Sequence, residues 1–459
     1  MNLAGGSTIA AVATPSAPAG LGVVRISGPQ AIAVAERVFR PISAEKRLAD
    51  RPGYTALYGH AADADGVIDE CVALLFRAPK SYTGEDTVEL SCHGGRYLLD
   101  RVLRACLAAG ARPAGPGEFT RRAFLNGKLD LAQAEAVTDL IAAEGRLAAR
   151  SALAAREGAL AQALSRVRDT LAGLSAQLTA FVDYPDDDIP ALAPEALADA
   201  LRECLTEMDA LLSRYEAGRI LREGVDTAIV GAPNVGKSTL MNRLSGFERS
   251  IVTDVAGTTR DIVEETVRVG EVTLRLADTA GLRDTDDPVE AIGVARARGR
   301  LQSAALILAV FDLSRPFSDG DRALLAALPP AQTVALLNKC DCPPAWDGSA
   351  VASVIPETVV ISARAGEGEA ALAAAVARVT GVAALSADQA MLTSARQFSA
   401  AQRCRAALLE AQSALSAGAT LDAVDVCLEG ALAALLELTG ERVTDVVVDE
   451  VFARFCVGK

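Results

Sequence analysis

The chain has 459 residues, of which 51% are hydrophobic and only 4% aromatic, a length that suits roughly three domains with cores of Ala, Leu and Val. Its net charge of −14 and isoelectric point of about 4.8 argue against non-specific nucleic-acid binding, which rests on excess Lys and Arg. No apolar run of membrane-spanning length, no leading charged-then-apolar signal, and nine scattered cysteines that form neither a disulfide framework nor a metal cluster lead us to expect a cytoplasmic protein without a membrane partner.

Taken in chain order, residues 1 to about 120 mix short strands with helices. The expected strands are Thr8–Val12, Leu21–Ile26, Val67–Phe76 and Asp86–Leu90, punctuated by Gly and Pro. This is read as an α+β domain. From Phe119 the pattern turns helical: Leu129, Ala132, Ala136 and Leu140 repeat near the 3.6-residue period, and an Ala/Leu/Arg-rich stretch continues it to Phe181. Two prolines and an acid run break it at 183–190, and a second helical stretch, Pro194–Leu221, follows. After about residue 384 the chain is helical again through Leu438. These Ala/Leu stripes are core. The expected architecture is an α/β nucleotide domain, 222–384, inserted into an all-α domain of 121–221 and 385–459, behind an N-terminal α+β domain of 1–120.

The middle segment carries the chemistry. Residues 231–239 read Gly-Ala-Pro-Asn-Val-Gly-Lys-Ser-Thr between the apolar run Asp226–Val230 and the helical run Ser238–Leu244. Gly231, Gly236, Lys237 and Ser238 fit the phosphate loop, with Val235 and Thr239 in the same turn. Backbone N–H groups close on phosphate, Lys237 reaches the terminal phosphates, and Ser238 can hold Mg2+. Asp278-Thr-Ala-Gly281 ends the strand-like run Val272–Ala277; the carboxylate can hold magnesium through water, and the Gly281 N–H can meet the γ-phosphate. Asn338-Lys339-Cys340-Asp341 follows Thr333–Leu337, and the Asp341 carboxylate can accept both guanine N–H donors. Ser362-Ala363-Arg364 ends Thr358–Ile361 and can offer a backbone N–H to the guanine oxygen. Four motifs in this order, each at the carboxyl end of an expected strand, read as a guanine-nucleotide switch.

Hydrolysis needs another source of help. Leu282 stands where many switch GTPases place a water-orienting glutamine. The Asn234 amide could coordinate a monovalent cation beside the phosphates, joined by carbonyls from the 252–260 segment; K+ there would stabilise developing charge. The alternative for Asn234 is loop shaping. Thr259 is the expected second Mg2+ ligand. For Glu290, the residues alone favour a solvated acid opening a helix.

The chain resembles the tRNA modification GTPase MnmE (TrmE) family along its whole length. The carrying segments are Arg25-Ile-Ser-Gly28, Ser81-Tyr-Thr-Gly-Glu-Asp86, His93-Gly-Gly95, the run 116–135, Gly257-Thr-Thr-Arg-Asp261 and the terminal Phe455-Cys-Val-Gly-Lys459. Val457, where the family usually has Ile, is a conservative departure. The resemblance implies that K+ binds Asn234 with carbonyls of Thr253, Val255 and Thr258, that Thr253 and Thr258 thereby line the GTP site, and that Glu290 positions water. It implies a tetrahydrofolate one-carbon carrier at Arg25, Glu89, Lys128 and Lys459. A carboxylate such as Glu89 suits the pterin N–H and amine, and the cations suit the glutamate tail. It further implies a homodimer, a FAD-carrying partner MnmG (GidA) in a heterotetramer, a tRNA substrate, and a catalytic part for Cys456, whose alternative is a small apolar residue beside Phe455. Cys456 lies close to an end expected to be loose, with Lys459 able to lower its pKa. Rival readings are a ribosome-assembly GTPase, disfavoured because the chain ends in an acidic helical stretch rather than a basic module, a folate-dependent transferase with a regulatory GTPase, and a membrane-remodelling GTPase.

Overall fold

The computed structural model describes residues 6–15, 17–43, 45–184, 193–247, 265–276, 304–453 and 455–458. By contact the chain falls into two compact units, Met1–Thr138 with Leu436–Lys459, and Asp139–Leu435.

The first unit is built on a seven-stranded sheet. Its elements are β1 Ile9–Val12, β2 Ala19–Ser27, α1 Ala31–Val38, β3 Phe39–Pro41, β4 Thr55–Asp63, β5 Gly66–Phe76, β6 Thr87–Gly94, α2 Arg96–Ala108, β7 Arg112–Pro113 and α3 Glu118–Leu125. The strand order is β3-β4-β5-β6-β2-β1-β7. Because side chains alternate across a strand, Val24 and Ile26 of β2 and Val88 and Leu90 of β6 enter the core with Ala35, Val102 and Cys106 of the helices. Arg25 and Glu89 therefore stand on the opposite face, directly across from each other in the antiparallel register. Strand β4 was not expected. Its buried side is Leu57, Gly59 and Ala61, and two of these are poor strand formers.

Helix α4, Leu131–Ala142, leaves the first unit for the second. Within the first unit its Leu131, Ala134 and Val137 pack on Val448, Val451 and Phe452 of a terminal helix, Asp445–Ala453, together with Phe455. Helical periodicity was expected to end at Leu438; this extra helix draws the tail back toward the sheet. The tail is pinned rather than loose. Val457 bridges Pro116, and the Gly117 N–H donates to the Cys456 carbonyl at 3.3 Å. Gly117 has φ +62°, and a Cβ there would come within 2.8 Å of the Phe452 carbonyl oxygen, so only glycine suits this approach.

The second unit contains α5 Arg146–Arg156, α6 Ala159–Asp183, α7 Pro194–Ser213, α8 Tyr215–Glu223, β8 Val225–Val230, α9 Lys237–Phe247, β9 Glu265–Val269, β10 Val272–Leu276, β11 Leu306–Asp312, α10 Asp319–Ala327, β12 Thr333–Asn338, α11 Ser349–Ala352, β13 Thr358–Val360, α12 Glu369–Val379, α13 Ala395–Ser416 and most of α14 Leu421–Thr439. The long helical stretch read from Phe119 is interrupted at Gly127, Gly145 and Gly158, and the next one at Arg214. Leu160, Leu164, Val167, Leu171, Leu174 and Leu178 make a buried stripe on α6, at the spacing that an amphipathic helix requires. The six-stranded sheet runs β13-β12-β11-β8-β10-β9, parallel throughout except for the β9–β10 hairpin. Strand β11 is buried at every residue, as a central parallel strand covered on both faces should be. Among the described residues no helix is long and apolar enough to cross a membrane.

Candidate functional site

The nucleotide motifs meet where the parallel strands end. Strand β8 runs into the loop 231–236, and α9 opens at Lys237. Asn234 takes φ +63° and is exposed at the loop tip, while Val235 is buried beneath it. Lys237 Nζ donates to the carbonyls of Gly231 and Ala232 at 3.0 and 2.8 Å, so its ammonium lies along the loop that is to cradle phosphate. Ser238 and Thr239 fall in the first turn of α9.

Asn338 and Lys339 tie the loop 231–236 to the end of β12, and Ser362 ties the loop after β12 to the one after β13. Asn338, at the end of β12, donates from Nδ2 to the Val235 carbonyl at 2.8 Å and accepts the Ala363 N–H at 3.0 Å on Oδ1. It is 2% exposed, and both ends of its amide bind backbone, so the side chain holds two loops together. Gly236 permits this, since a Cβ there would come within 2.3 Å of Asn338 Nδ2. Lys339 Nζ donates to the Asn234 carbonyl at 3.0 Å and pairs with Asp312 at 2.7 Å. Ser362 Oγ donates to Asp341 Oδ1 at 2.7 Å and accepts the Ala365 N–H at 3.0 Å. The Asp341 carboxylate is thereby oriented while the residue stays exposed. Arg364 is exposed beyond it. The sequence reading passed over Asp312. It closes the wholly apolar run Leu306–Phe311, and that was the available signal. Burial raises its pKa, but hydrogen bonds from Lys339 and Ser314 outweigh this and hold the carboxyl below its usual value.

The first unit assembles a different cluster. Arg25 Nε donates to Glu89 Oε1 at 2.8 Å, and Arg25 Nη1 donates to the Gly458 carbonyl at 3.2 Å. The guanidinium also lies 5.8 Å from the Tyr82 ring centre and 5.5 Å from that of Phe119, within cation–π range. Lys128 Nζ donates to the Pro79 carbonyl at 3.1 Å, in the same loop as Tyr82. That loop is braced from below by Ser27, Thr83, Glu85 and Arg122: Ser27 Oγ donates to Glu85 at 2.8 Å and Arg122 Nη1 donates to Glu85 Oε2 at 3.0 Å. Cys456 is exposed, with its carbonyl held as described. Tyr82, Phe119 and Gly458 were not foreseen as part of this cluster.

Known proteins match the chain from end to end. The family profile described as "GTP-binding protein TrmE N-terminus" covers residues 8–128, and "MnmE helical domain" covers 131–456. The tRNA modification GTPase MnmE of Symbiobacterium thermophilum is 47% identical over 459 residues, spanning 99% of this chain and 100% of that protein. The chain belongs to the tRNA modification GTPase MnmE family.

Two further MnmE relatives, from Roseiflexus sp. and Geobacter sulfurreducens, are each 42% identical and cover 98% of the chain and 99% of their own length. Among solved structures, Aquifex aeolicus Era bound to GDP and AlF4- is 27% identical over 40% of this chain and 67% of its own, at a TM-score of 0.24 that is too low to bear on the fold. Of the expected site residues, Gly231, Asn234, Val235, Gly236, Lys237, Ser238, Thr239, Asn338, Lys339, Asp341, Ser362, Ala363 and Arg364 fall on adjoining loops and helix starts of the second unit. Arg25, Glu89, Lys128 and Cys456 fall in the first unit. Thr253, Val255, Thr258, Thr259, Asp278, Gly281, Leu282, Glu290 and Lys459 lie outside the described residues.

Proposed function

We propose that the chain is a potassium-dependent GTP hydrolase of tRNA modification. Together with the FAD-carrying partner MnmG (GidA) it installs an aminomethyl or carboxymethylaminomethyl group on carbon five of the wobble uridine. The one-carbon unit comes from a tetrahydrofolate derivative and the nitrogen from glycine or ammonium. The observation that carries this reading is the union, in one chain of the MnmE family, of stitched guanine loops and a tail pinned beside Arg25 and Glu89.

The donor sets suit the groups they would hold. Ser238, in the first turn of α9, and Thr259 would hold Mg2+. Asn234, exposed at the loop tip, would hold K+ with the carbonyls of Thr253, Val255 and Thr258. A cation so bound supplies positive charge where negative charge develops on the phosphates. Lys237 and the loop N–H groups orient the phosphates, Asp341 reads guanine with Ala363 and Lys339 beside it, and Asp278 and Gly281 report the terminal phosphate. Glu290 orients the attacking water. In the first unit, Glu89 would accept the pterin N–H groups, while Arg25, Lys128 and Lys459 would meet the carboxylates of its glutamate tail. Cys456, in the tail whose Gly458 carbonyl binds Arg25, would act on the one-carbon unit or the uridine. A homodimer through the N-terminal domain and a heterotetramer with MnmG complete the assembly. GTP turnover drives movement of the domain 222–384 against the helical domain that contains it, a two-state device. The acidic chain leaves most RNA contacts to its partner.

The test is mass spectrometry of tRNA nucleosides from a strain lacking the gene. The five-substituted wobble uridine should vanish and return with the intact gene; normal modification in the deletion would sink the assignment. A ribosome-assembly role predicts instead normal nucleosides with a ribosomal defect.

A further inference from the structure

The β9–β10 hairpin touches more than its own sheet. Among the described residues β9 is an edge strand, paired with β10. Strand β10 in turn pairs in parallel with β8, Leu274 opposite Val225 and Leu276 opposite Thr227. Along the chain β9 begins just after the 253–259 segment, and β10 ends at Leu276, shortly before Asp278. Both ends of the hairpin therefore run into nucleotide motifs, and its tip, Gly270-Glu271, points the other way along the chain.

That tip caps helix α5. Glu271 Oε2 accepts the Leu147 N–H at 2.8 Å, and Arg146 Nε lies 3.9 Å from Glu271 Oε1. The helix's own N-cap residue, Gly145, has no side chain to offer. A carboxylate at this place satisfies an orphan N–H and suits the positive end of the helix dipole. A second anchor sits one residue earlier. Thr273 Oγ1 donates to Glu144 Oε2 at 3.0 Å, and Arg268 Nη1 donates to the Glu144 carbonyl. The Leu147 side chain packs against the core cluster of the six-stranded sheet. The first turn of α5 is thus held by β9, β10 and their core.

We propose that the β9–β10 hairpin passes the nucleotide state to helix α5, with Glu271 as its latch. Glu271 and Glu144 are positioning residues, and the proposal rests on the GTPase reading above. A nucleotide that favours the latched arrangement protects the first turn of α5. By reciprocity, the latched helix raises affinity for that nucleotide by the same factor. An edge strand with one neighbour can shift without breaking the rest of the sheet.

Hydrogen exchange on the full-length protein, with GDP and with a non-hydrolysable GTP analogue, tests this. Exchange at Leu147 and the next three amides should differ between the two nucleotides by about fivefold or more. In Glu271→Ala the difference should vanish, with exchange fast in both states and α6 unchanged as an internal control. The ratio of affinities for the two nucleotides should move by the same factor. Glu271→Gln keeps a carbonyl acceptor and should retain most of the difference, which guards against a mere folding defect. A difference that persists in Glu271→Ala, or that is absent from the wild type while both nucleotides bind, overturns the proposal. Failure of the wild type to bind either nucleotide overturns it together with the GTPase reading.

Discussion

The nucleotide site and the Arg25 cluster are built from opposite materials. The first is backbone presented by loops at the ends of parallel strands, with Asn338, Lys339 and Ser362 as stitches between neighbouring loops. The second is half-buried side chains on the sheet face that Tyr82 and Phe119 cover, joined by strand register between residues 64 apart and by a tail 433 residues from Arg25. A backbone site tolerates many side chains but needs its few motif letters. A side-chain site depends on every partner that fixes its geometry. Substitutions should therefore split the two: single motif letters change identity or rate at the first, while the second weakens stepwise as neighbours are removed.

The largest expected effect is on base identity. Asp341→Asn removes the acceptor pair for guanine, so preference should move from GTP toward XTP by roughly 10⁴-fold or more. Steady-state turnover of the two nucleotides checks it, and unchanged preference would remove Asp341 from base recognition. Next comes the cation. Replacing K+ by Na+, or Asn234 by Ala, should lower GTP turnover by about 10²-fold, the usual cost of losing one stabiliser of developing charge. Equal rates in the two salts would return Asn234 to loop shaping. At the other site, Glu89→Ala should weaken binding of a reduced folate by about 3 kcal/mol, two hydrogen bonds to a charged acceptor, read by equilibrium dialysis. Asp312→Asn should be milder. It loosens Lys339 and should weaken GTP binding by roughly tenfold, with little change in folate binding.

The smallest effect is on acid stability of the first unit. Burial raises the Glu118 pKa, but hydrogen bonds from Arg112, Gly115 and Arg122 prevail and lower it from 4.5. A folded-state pKa below the unfolded one adds stability that is present above the unfolded value and is lost as pH falls through the folded value. Melting followed from pH 6 downward should therefore fall steeply below about pH 4.5. Glu118→Gln should be less stable near neutrality and show a shallower acid limb.

Much of this architecture was legible because local signals agreed. The phosphate loop lay between an apolar strand run and a helical run, Asn338 followed a buried strand run and Ser362 a second strand run, so their convergence could be expected before any coordinates. The Arg25–Glu89 pair could not be derived that way. It depends on β2 lying beside β6 in one register, and a shift of one residue would turn Glu89 into the core. Strand β4 was hidden by Gly59 and Ala61, and the terminal helix Asp445–Ala453 by a sequence rich in Val, which favours strands. Glu271 gave no signal at all: capping a helix more than a hundred residues earlier in the chain is a tertiary fact.

The central claim is that two separately built sites, one for GTP and one for a folate carrier, serve one modification. The most direct test carries Glu89→Ala in place of the wild-type gene and pairs nucleoside mass spectrometry of the cell's tRNA with GTP turnover of the purified variant. The account predicts loss of the modified wobble uridine with turnover within about twofold of wild type, as expected for independent sites. Normal modification, or a collapse of GTP turnover alongside its loss, would contradict it.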